Sequence, residues 1–311
     1  MYSEIRFWKK AISYLFVLAI VLIAQQACNA QDNLPFDVFG KAINNRQVYT
    51  HLELQATKLV ENQADGVVEE FRENLRSADR TSKIKLTSLA NAGTAAKENL
   101  YRHMVKSSLY LGELYDCGHC DRTHAGFSGG VLVSEDGLAL TNYHVVQGHH
   151  KERTEGFMAM TYDGKCYAID EVVAADKTAD IALVRLKADG QKFHAAPIAL
   201  NRPDPMDPVR IISNPHGQFF VLTEGEVSRY IQMTGQIFME ITADFGGGSS
   251  GSGIFNDRGE VIGIVSRIYP VIRKSGTKTP YVEMLLKRCV PLEEVHNCFE
   301  HQDYSGTVTS D

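Results

Sequence analysis

The chain has 311 residues, with 32 Lys and Arg against 38 Asp and Glu and a formal net charge of −6. It has no basic excess, so it lacks the electrostatic footprint of a nucleic-acid binder. Its 44% hydrophobic content excludes a disordered chain and suits a globular protein with a full core, in one large or two modest domains.

The N-terminus reads as a signal peptide over residues 1–30. Arg6, Lys9 and Lys10 precede an apolar run, Ala11 to Ala24, and the small residues Ala27-Cys28-Asn29-Ala30 follow. Basic, apolar, then small is the pattern of an export leader cut after Ala30. The run is shorter than the roughly 20 apolar residues a membrane span needs, so no membrane attachment is expected after cleavage. Lipid anchoring at Cys28 is the lesser reading, because Gln25 and Gln26 stand where a lipoprotein signal carries small or aliphatic residues. Export to the periplasm or outside the cell permits disulfides. The cysteines left are Cys117, Cys120, Cys166, Cys289 and Cys298, an odd number, of which Cys289 and Cys298 flank one short segment and could pair.

Residues 31–105 read as a helical N-terminal extension. Up to about residue 45 the chain is linker-like, with Pro35 and Gly40. Leu52, Leu59, Val60, Val67, Val68 and Phe71 then recur at helical spacing and predict one amphipathic helix or a helical pair. A further helix is expected over Ile84 to Met104, weakened by Gly93. The segment has too little apolar surface to fold alone. It is expected to pack on the rest of the chain, act as a pro-segment, or join copies into a trimer.

From residue 106 the pattern turns to short strands, and residues 106–300 are expected to form one β domain. Strands are expected around Leu109–Leu114, Gly129–Ser134, Leu138–Thr141, Met158–Tyr162, Cys166–Val173, Ile181–Leu186, Val209–Ile212, Gly225–Tyr230, Gln236–Thr242 and Val261–Ser266. Many short strands separated by turns argue for an all-β barrel or sandwich. A closing helix is expected over Tyr281 to Val295, interrupted by Pro291, with a polar tail at 301–311. The run Cys117-Gly-His-Cys120, with His124 four residues on, has three readings in descending order. They are a disulfide, a zinc site with Cys166 or His119 as fourth ligand, and thiol redox chemistry.

The chemistry gathers in three stretches. Gly246 to Gly248 runs into Ser249-Ser250-Gly251, where a serine in a glycine-dense turn can expose its hydroxyl while backbone N–H groups converge on an oxyanion. A serine hydroxyl needs an adjacent base, and His144 ends an apolar strand in Thr141-Asn142-Tyr143-His144. Asp180 opens the apolar strand Ile181 to Leu186, whereas the rival Asp176 precedes a polar Lys-Thr. Ser249 and Ser252 are rivals to Ser250, which alone has Gly248 two before it and Gly251 after it.

The order His144, Asp180, Ser250 is that of the chymotrypsin-type triad. Together with Ile212-Ser-Asn-Pro-His-Gly217, the blocks TNYHVV, DIALVRL and GSSGSGIFN resemble trypsin-like serine proteases, particularly the HtrA/Deg branch, over about residues 106–295. The resemblance implies two six-stranded antiparallel β-barrels with the site between them, His144 and Asp180 from the first and Ser250 from the second. No PDZ-sized segment follows, a departure from HtrA architecture. It implies His144 as general base, Asp180 as its orienting acid and Ser250 as nucleophile. The oxyanion hole would be built from Gly248, Ser249 and Ser250, with the N–H groups of Gly248 and Ser250 as donors. The substrates would be polypeptides, cut without cofactor or catalytic metal. Asp244, six residues before Ser250, stands where trypsin has its pocket-base aspartate, which implies cleavage after Lys or Arg unless it makes an unrelated loop contact. Ser266 begins the stretch that resembles the substrate-pairing strand, and Ile268 could narrow the pocket entrance. Two other classes stay open. One is a non-catalytic protease-fold binding or chaperone-like module, favoured by Ser252-Gly253 in place of Gly-Pro. The other is a metal- or redox-sensing envelope protein built on Cys117 and Cys120.

Overall fold

A computed structural model describes residues 38–39, 42–85, 99–273 and 280–300. The leader expected at 1–30, the tail at 301–311 and most of the helix expected over 84–104 lie outside the described residues. Among the described residues no helix is long and apolar enough to cross a membrane.

Seven strands build the first β unit: β1 (Ser108–Asp116), β2 (Thr123–Ala125), β3 (Ser128–Leu132), β4 (Leu138–Thr141), β5 (Thr154–Met160), β6 (Cys166–Asp176) and β7 (Ile181–Leu186). The order β1-β3-β4-β7-β6-β5 closes into a six-stranded antiparallel ring, because β5 pairs back onto β1 from Tyr110↔Met160 to Tyr115↔Thr154. Short β2 lies along the far end of β1. The second unit is a closed six-stranded antiparallel barrel of β8 (Pro208–Ser213), β9 (Val221–Met233), β10 (Gln236–Ile241), β11 (Gly253–Phe255), β12 (Val261–Arg273) and β13 (Tyr281–Pro291), in the order β10-β13-β12-β11-β8-β9. Two closed six-stranded rings are the expected architecture, and closure leaves neither with long open edges.

Alternation decides which side chains fill the rings. In the first ring Val131, Leu140, Ile181 and Leu183 lie on one face, in a core shared with Ile211, Ile254, Phe255 and Ile264 of the second, while their neighbours Leu132, Ala139, Ala182 and Val184 belong to a separate core cluster. Burying each such side chain contributes about 1.5–3 kcal/mol.

The extension does not stand apart. Helix α1 (Asn45–Glu61) starts where the Asn44 side chain accepts the Gln47 N–H at 3.2 Å. Its Val48, Leu52 and Ala56, spaced four apart on one face, are buried in the same core as the barrel residues. Helix α2 (Val67–Ser77) seats Phe71 against Phe157 of β5, ring centroids 5.0 Å apart. Helix α3 (Leu100–Ser107) runs directly into β1. Of the one helix or helical pair expected, the pair is present and packs on the first ring.

The closing helix is a correction. Tyr281–Pro291 is strand β13, paired with β12 from Arg273↔Tyr281 to Gly263↔Pro291. Only Leu292–His296 is helical (α5), with Pro291 as its N-cap residue. A local apolar period lost to cross-strand pairing, and proline stands at the strand end, where its missing N–H costs no ladder bond. Cys289 and Cys298 are both buried free thiols, so the local disulfide between them is absent.

Candidate active site

Strands β4 and β7 are neighbours, with Thr141 opposite Ala182. The residues just past the end of β4 and just before β7 therefore lie side by side. A short helix, α4 (Tyr143–Gln147), follows β4 and carries His144. Asp180 precedes β7 in a left-handed conformation (φ 58°) that Asp tolerates better than most residues. The Asn142 side-chain amide donates to the Asp180 carbonyl at 2.8 Å and holds that turn against α4.

The imidazole Nδ1 of His144 lies 2.8 Å from Oδ1 and 3.0 Å from Oδ2 of Asp180, and the His144 backbone N–H donates to Oδ1 at 3.2 Å. An ionised carboxylate only accepts, so the proton sits on Nδ1 and Nε2 is left with its lone pair. Asp180 is buried. Burial alone would raise its pKa, but the bond and charge of His144, then the Ser266 hydroxyl, outweigh it and hold the carboxyl below its ordinary value.

Ser266 on β12 ties this pair to the second barrel. Its hydroxyl donates to Asp180 Oδ2 at 2.8 Å, and its carbonyl accepts from Ser250 Oγ at 3.3 Å. Asp180, Ser266 and Ser250 thus share one network, flanked by Arg267, whose Nη2 is 3.7 Å from Asp180 Oδ2.

The glycine run shapes the loop before β11. The Gly247 carbonyl accepts the His216 N–H at 2.7 Å. Across a trans peptide the Gly248 N–H therefore points away from that turn. Gly248 has φ 92°, and a Cβ there would stand 2.7 Å from the Asn214 carbonyl, so only glycine fits. The Ser249 N–H is taken by the Gly246 carbonyl at 3.0 Å, and its buried hydroxyl donates to Ser213 Oγ at 3.1 Å. Among the described residues, no acceptor takes the N–H of Gly248 or Ser250. Of the three residues expected at an oxyanion hole, Gly248 and Ser250 keep free donors, while Ser249 braces the loop.

The sequence model of the trypsin-like peptidase domain family matches residues 128–264. That span holds all of His144, Asp180 and Ser250. Residues 128–264 are thus similar to trypsin-like peptidase domains, and the relatives found are HtrA-type proteases. Similar proteins include Serine protease HTRA1 of Xenopus tropicalis, 32% identical over 151 residues, which are 45% of this chain and 31% of that one. The putative serine protease HhoA of Synechocystis is 29% identical over 168 residues, 51% of this chain and 41% of the relative. A probable periplasmic serine endoprotease DegP-like of Marinomonas is 30% identical over 147 residues, 45% and 29% of the two chains. The chain spans about a third of the length of the HTRA1 and DegP-like relatives it matches.

Of the two residues expected to bind substrate, Ser266 bonds Asp180 and Ser250, as described. Asp244 does not sit at a pocket floor: its side chain is 84% exposed and pairs with Lys287 of β13. The offset from Ser250 matches trypsin's, but the loop Ala243-Asp244-Phe245 buries its two apolar neighbours and turns the acid outward.

Glu113 of β1 was not foreseen. Buried beneath the loop after α4, it accepts the N–H groups of His149 (2.8 Å) and His150 (2.9 Å), the Nδ1–H of His150 (3.0 Å) and the Thr154 hydroxyl (2.7 Å). Burial pushes its carboxyl up, but these donors outweigh it and hold it below the usual value. In an alternating strand a Glu reads as solvent-facing, so nothing in the sequence marks it.

At the far end of β1, the Sγ atoms of Cys117 and Cys120 are 3.4 Å apart, and Cys120 Sγ is 3.2 Å from His124 Nε2. The His119 N–H, then Cys120, pulls the Cys117 thiol down to about 7. Cys166, expected as a further ligand, lies instead opposite Met160, with Sγ 3.8 Å from the Gly164 carbonyl, and burial pushes its thiol up to about 12.

Proposed function

We propose that this chain is an exported serine endopeptidase that cuts polypeptides through a Ser250 acyl-enzyme. The observation that carries the reading is the two-oxygen seat of His144 Nδ1 on Asp180, joined through Ser266 to Ser250. With Nδ1–H engaged, His144 Nε2 is the base. Ser250 Oγ turns from the Ser266 carbonyl to attack the substrate carbonyl carbon, and Nε2 takes its proton. The carbonyl oxygen gains the negative charge, which the N–H groups of Gly248 and Ser250 receive. Asp180 stabilises the imidazolium. The imidazolium returns the proton to the departing amine, and a water then repeats the cycle on the acyl-enzyme.

Export is supported by the basic, apolar, small-residue order of the N-terminus and by the word periplasmic in the names of the DegP-like relatives. A trimer through the N-terminal extension would have to use surfaces other than Val48, Leu52, Ala56, Phe71 and Leu75, which already face this chain's own core.

The test is intact mass after incubation of the processed protein with a fluorophosphonate, beside Ser250→Ala. One adduct on the parent chain and none on the variant supports the reading. No adduct on either, with the fold verified by circular dichroism, overturns it in favour of a protease-fold binding module.

A further inference from the structure

We infer that Cys117, Cys120 and His124 form a zinc site that clasps helix α1 to the β1–β2 hairpin, separate from the Ser250 centre. The ligand atoms Cys117 Sγ, Cys120 Sγ and His124 Nε2 all lie within 4.8 Å of one another. Around one tetrahedral Zn²⁺, with bonds of about 2.3 Å to sulfur and about 2.0 Å to nitrogen, such atoms stand about 3.5–3.8 Å apart. The separations of 3.4 and 3.2 Å therefore need only a small adjustment to take the ion. A disulfide would require the sulfurs at about 2.05 Å. Two thiolates and an imidazole are a donor set that favours zinc over magnesium or calcium.

The surroundings are built for ligation. Asp116 Oδ1 accepts the Gly118 N–H at 2.7 Å, and Gly118 has φ 73°, which folds Cys117-Gly-His-Cys120 into a tight knuckle. The Arg153 guanidinium donates to the Cys117 carbonyl at 3.0 Å and fixes the knuckle from outside.

The decisive contact comes from the extension. Glu53 of α1, a buried acid, accepts from His124 Nδ1 at 2.8 Å. That bond holds the proton on Nδ1 and leaves Nε2 facing Cys120, the carboxylate–histidine support that metal-bound imidazoles use. Arg122 Nη1 also reaches Glu53, at 3.4 Å. Among the described residues no fourth ligand joins the three, so a water completes the shell. Zinc binding displaces the two thiol protons to solvent. Because Glu53 belongs to α1 and the ligands to the hairpin, loading the site fastens the extension to the first ring.

The experiment is metal analysis of the processed full chain, purified with reductant, with spectra after replacement by Co²⁺. The expected result is one zinc per chain and, with Co²⁺, thiolate charge-transfer and tetrahedral bands. Cys117→Ser and Cys120→Ser should abolish both, while Cys166→Ser and Ser250→Ala leave them unchanged. Glu53→Gln should weaken zinc binding about 10–100-fold, and metal removal should speed hydrogen exchange in α1. Circular dichroism and fluorophosphonate labelling check that each cysteine variant is folded. A metal-free protein with both thiols alkylated, a Cys117–Cys120 disulfide, or α1 exchange indifferent to metal would each overturn the inference.

Discussion

The backbone N–H of Gly129 donates to the carbonyl of Ser250 at 2.7 Å. Strand β3 of the first ring thereby holds the serine loop of the second barrel, and the Gly129 carbonyl in turn accepts the Thr141 hydroxyl at 2.9 Å, next to α4. One residue of the first ring thus braces both halves of the site.

Gly251 sits inside that clasp with φ 82°, and a Cβ there would overlap Thr141 Oγ1 and the Gly129 carbonyl. Neither the backbone angle nor the space admits a side chain. Gly251→Ala is expected to cut kcat/KM at least about 10²-fold by displacing Ser250. It should also lower stability by about 2–4 kcal/mol, within the range of strained or overpacked core changes. Peptide hydrolysis and urea unfolding check the two effects.

Asp180→Asn should keep the fold and lower kcat about 10⁴-fold, because the amide can present its N–H and invert the imidazole tautomer. The linked stability has a definite sign. A carboxyl depressed in the folded state contributes in full above its unfolded pKa of about 3.9, and that contribution is lost as pH falls through the lower folded value. Acid unfolding of the parent chain should therefore steepen below about pH 4, and the Asn variant should lack that component.

His103 and His194 form a second titrating pair, in which neither imidazole bonds Asp180 or Ser250. His194 Nε2 lies 2.9 Å from His103 Nδ1, and His103 Nε2 donates to the Gly259 carbonyl at 3.1 Å. Burial first, and for His194 also the neighbouring His103, holds both below the ordinary imidazole value. Depressed imidazoles keep their contribution above the unfolded value of about 6.5 and lose it as pH falls through the folded one. Thermal midpoints should decline from pH 7 to pH 5, and His194→Gln should flatten that decline.

Two serines flanking Ser250 should respond oppositely. Ser252 Oγ is buried without a partner, so Ser252→Ala removes an unsatisfied group and should be neutral or stabilise by up to about 1 kcal/mol. Ser249 Oγ donates to Ser213 and accepts the Gly246 N–H at 3.3 Å, so Ser249→Ala should cost about 1–2 kcal/mol. Urea midpoints of the two variants settle the comparison.

Asp244 is exposed beside Lys287 and offers no charge to a buried pocket. Asp244→Ala should leave the preference for the residue before the cut unchanged within about twofold, since an exposed charge is screened. Cleavage of a peptide library by both forms reads this out.

The sequence by itself determined the strand-rich domain, the helical character of the extension and the glycine-dense loop around Ser250, while the two-barrel architecture and the roles of His144, Asp180 and Ser250 came from a family resemblance. What the residues alone determined rests on short-range chemistry: glycine where φ is positive, alternation along a strand, period 3.6 along a helix. Only the tertiary structure decided what depends on partners distant in the chain. Tyr281–Pro291 became a strand because β12 pairs with it along its length. Asp244 faced outward because its loop buried Ala243 and Phe245 instead. Glu113 became the buried brace of the α4 loop, and Glu53 met His124, because the first ring and α1 brought them to donors 36 and 71 residues away. Spacing along a chain constrains neighbours a turn or a strand apart. It carries no term for a carboxylate whose partners arrive only when a barrel closes.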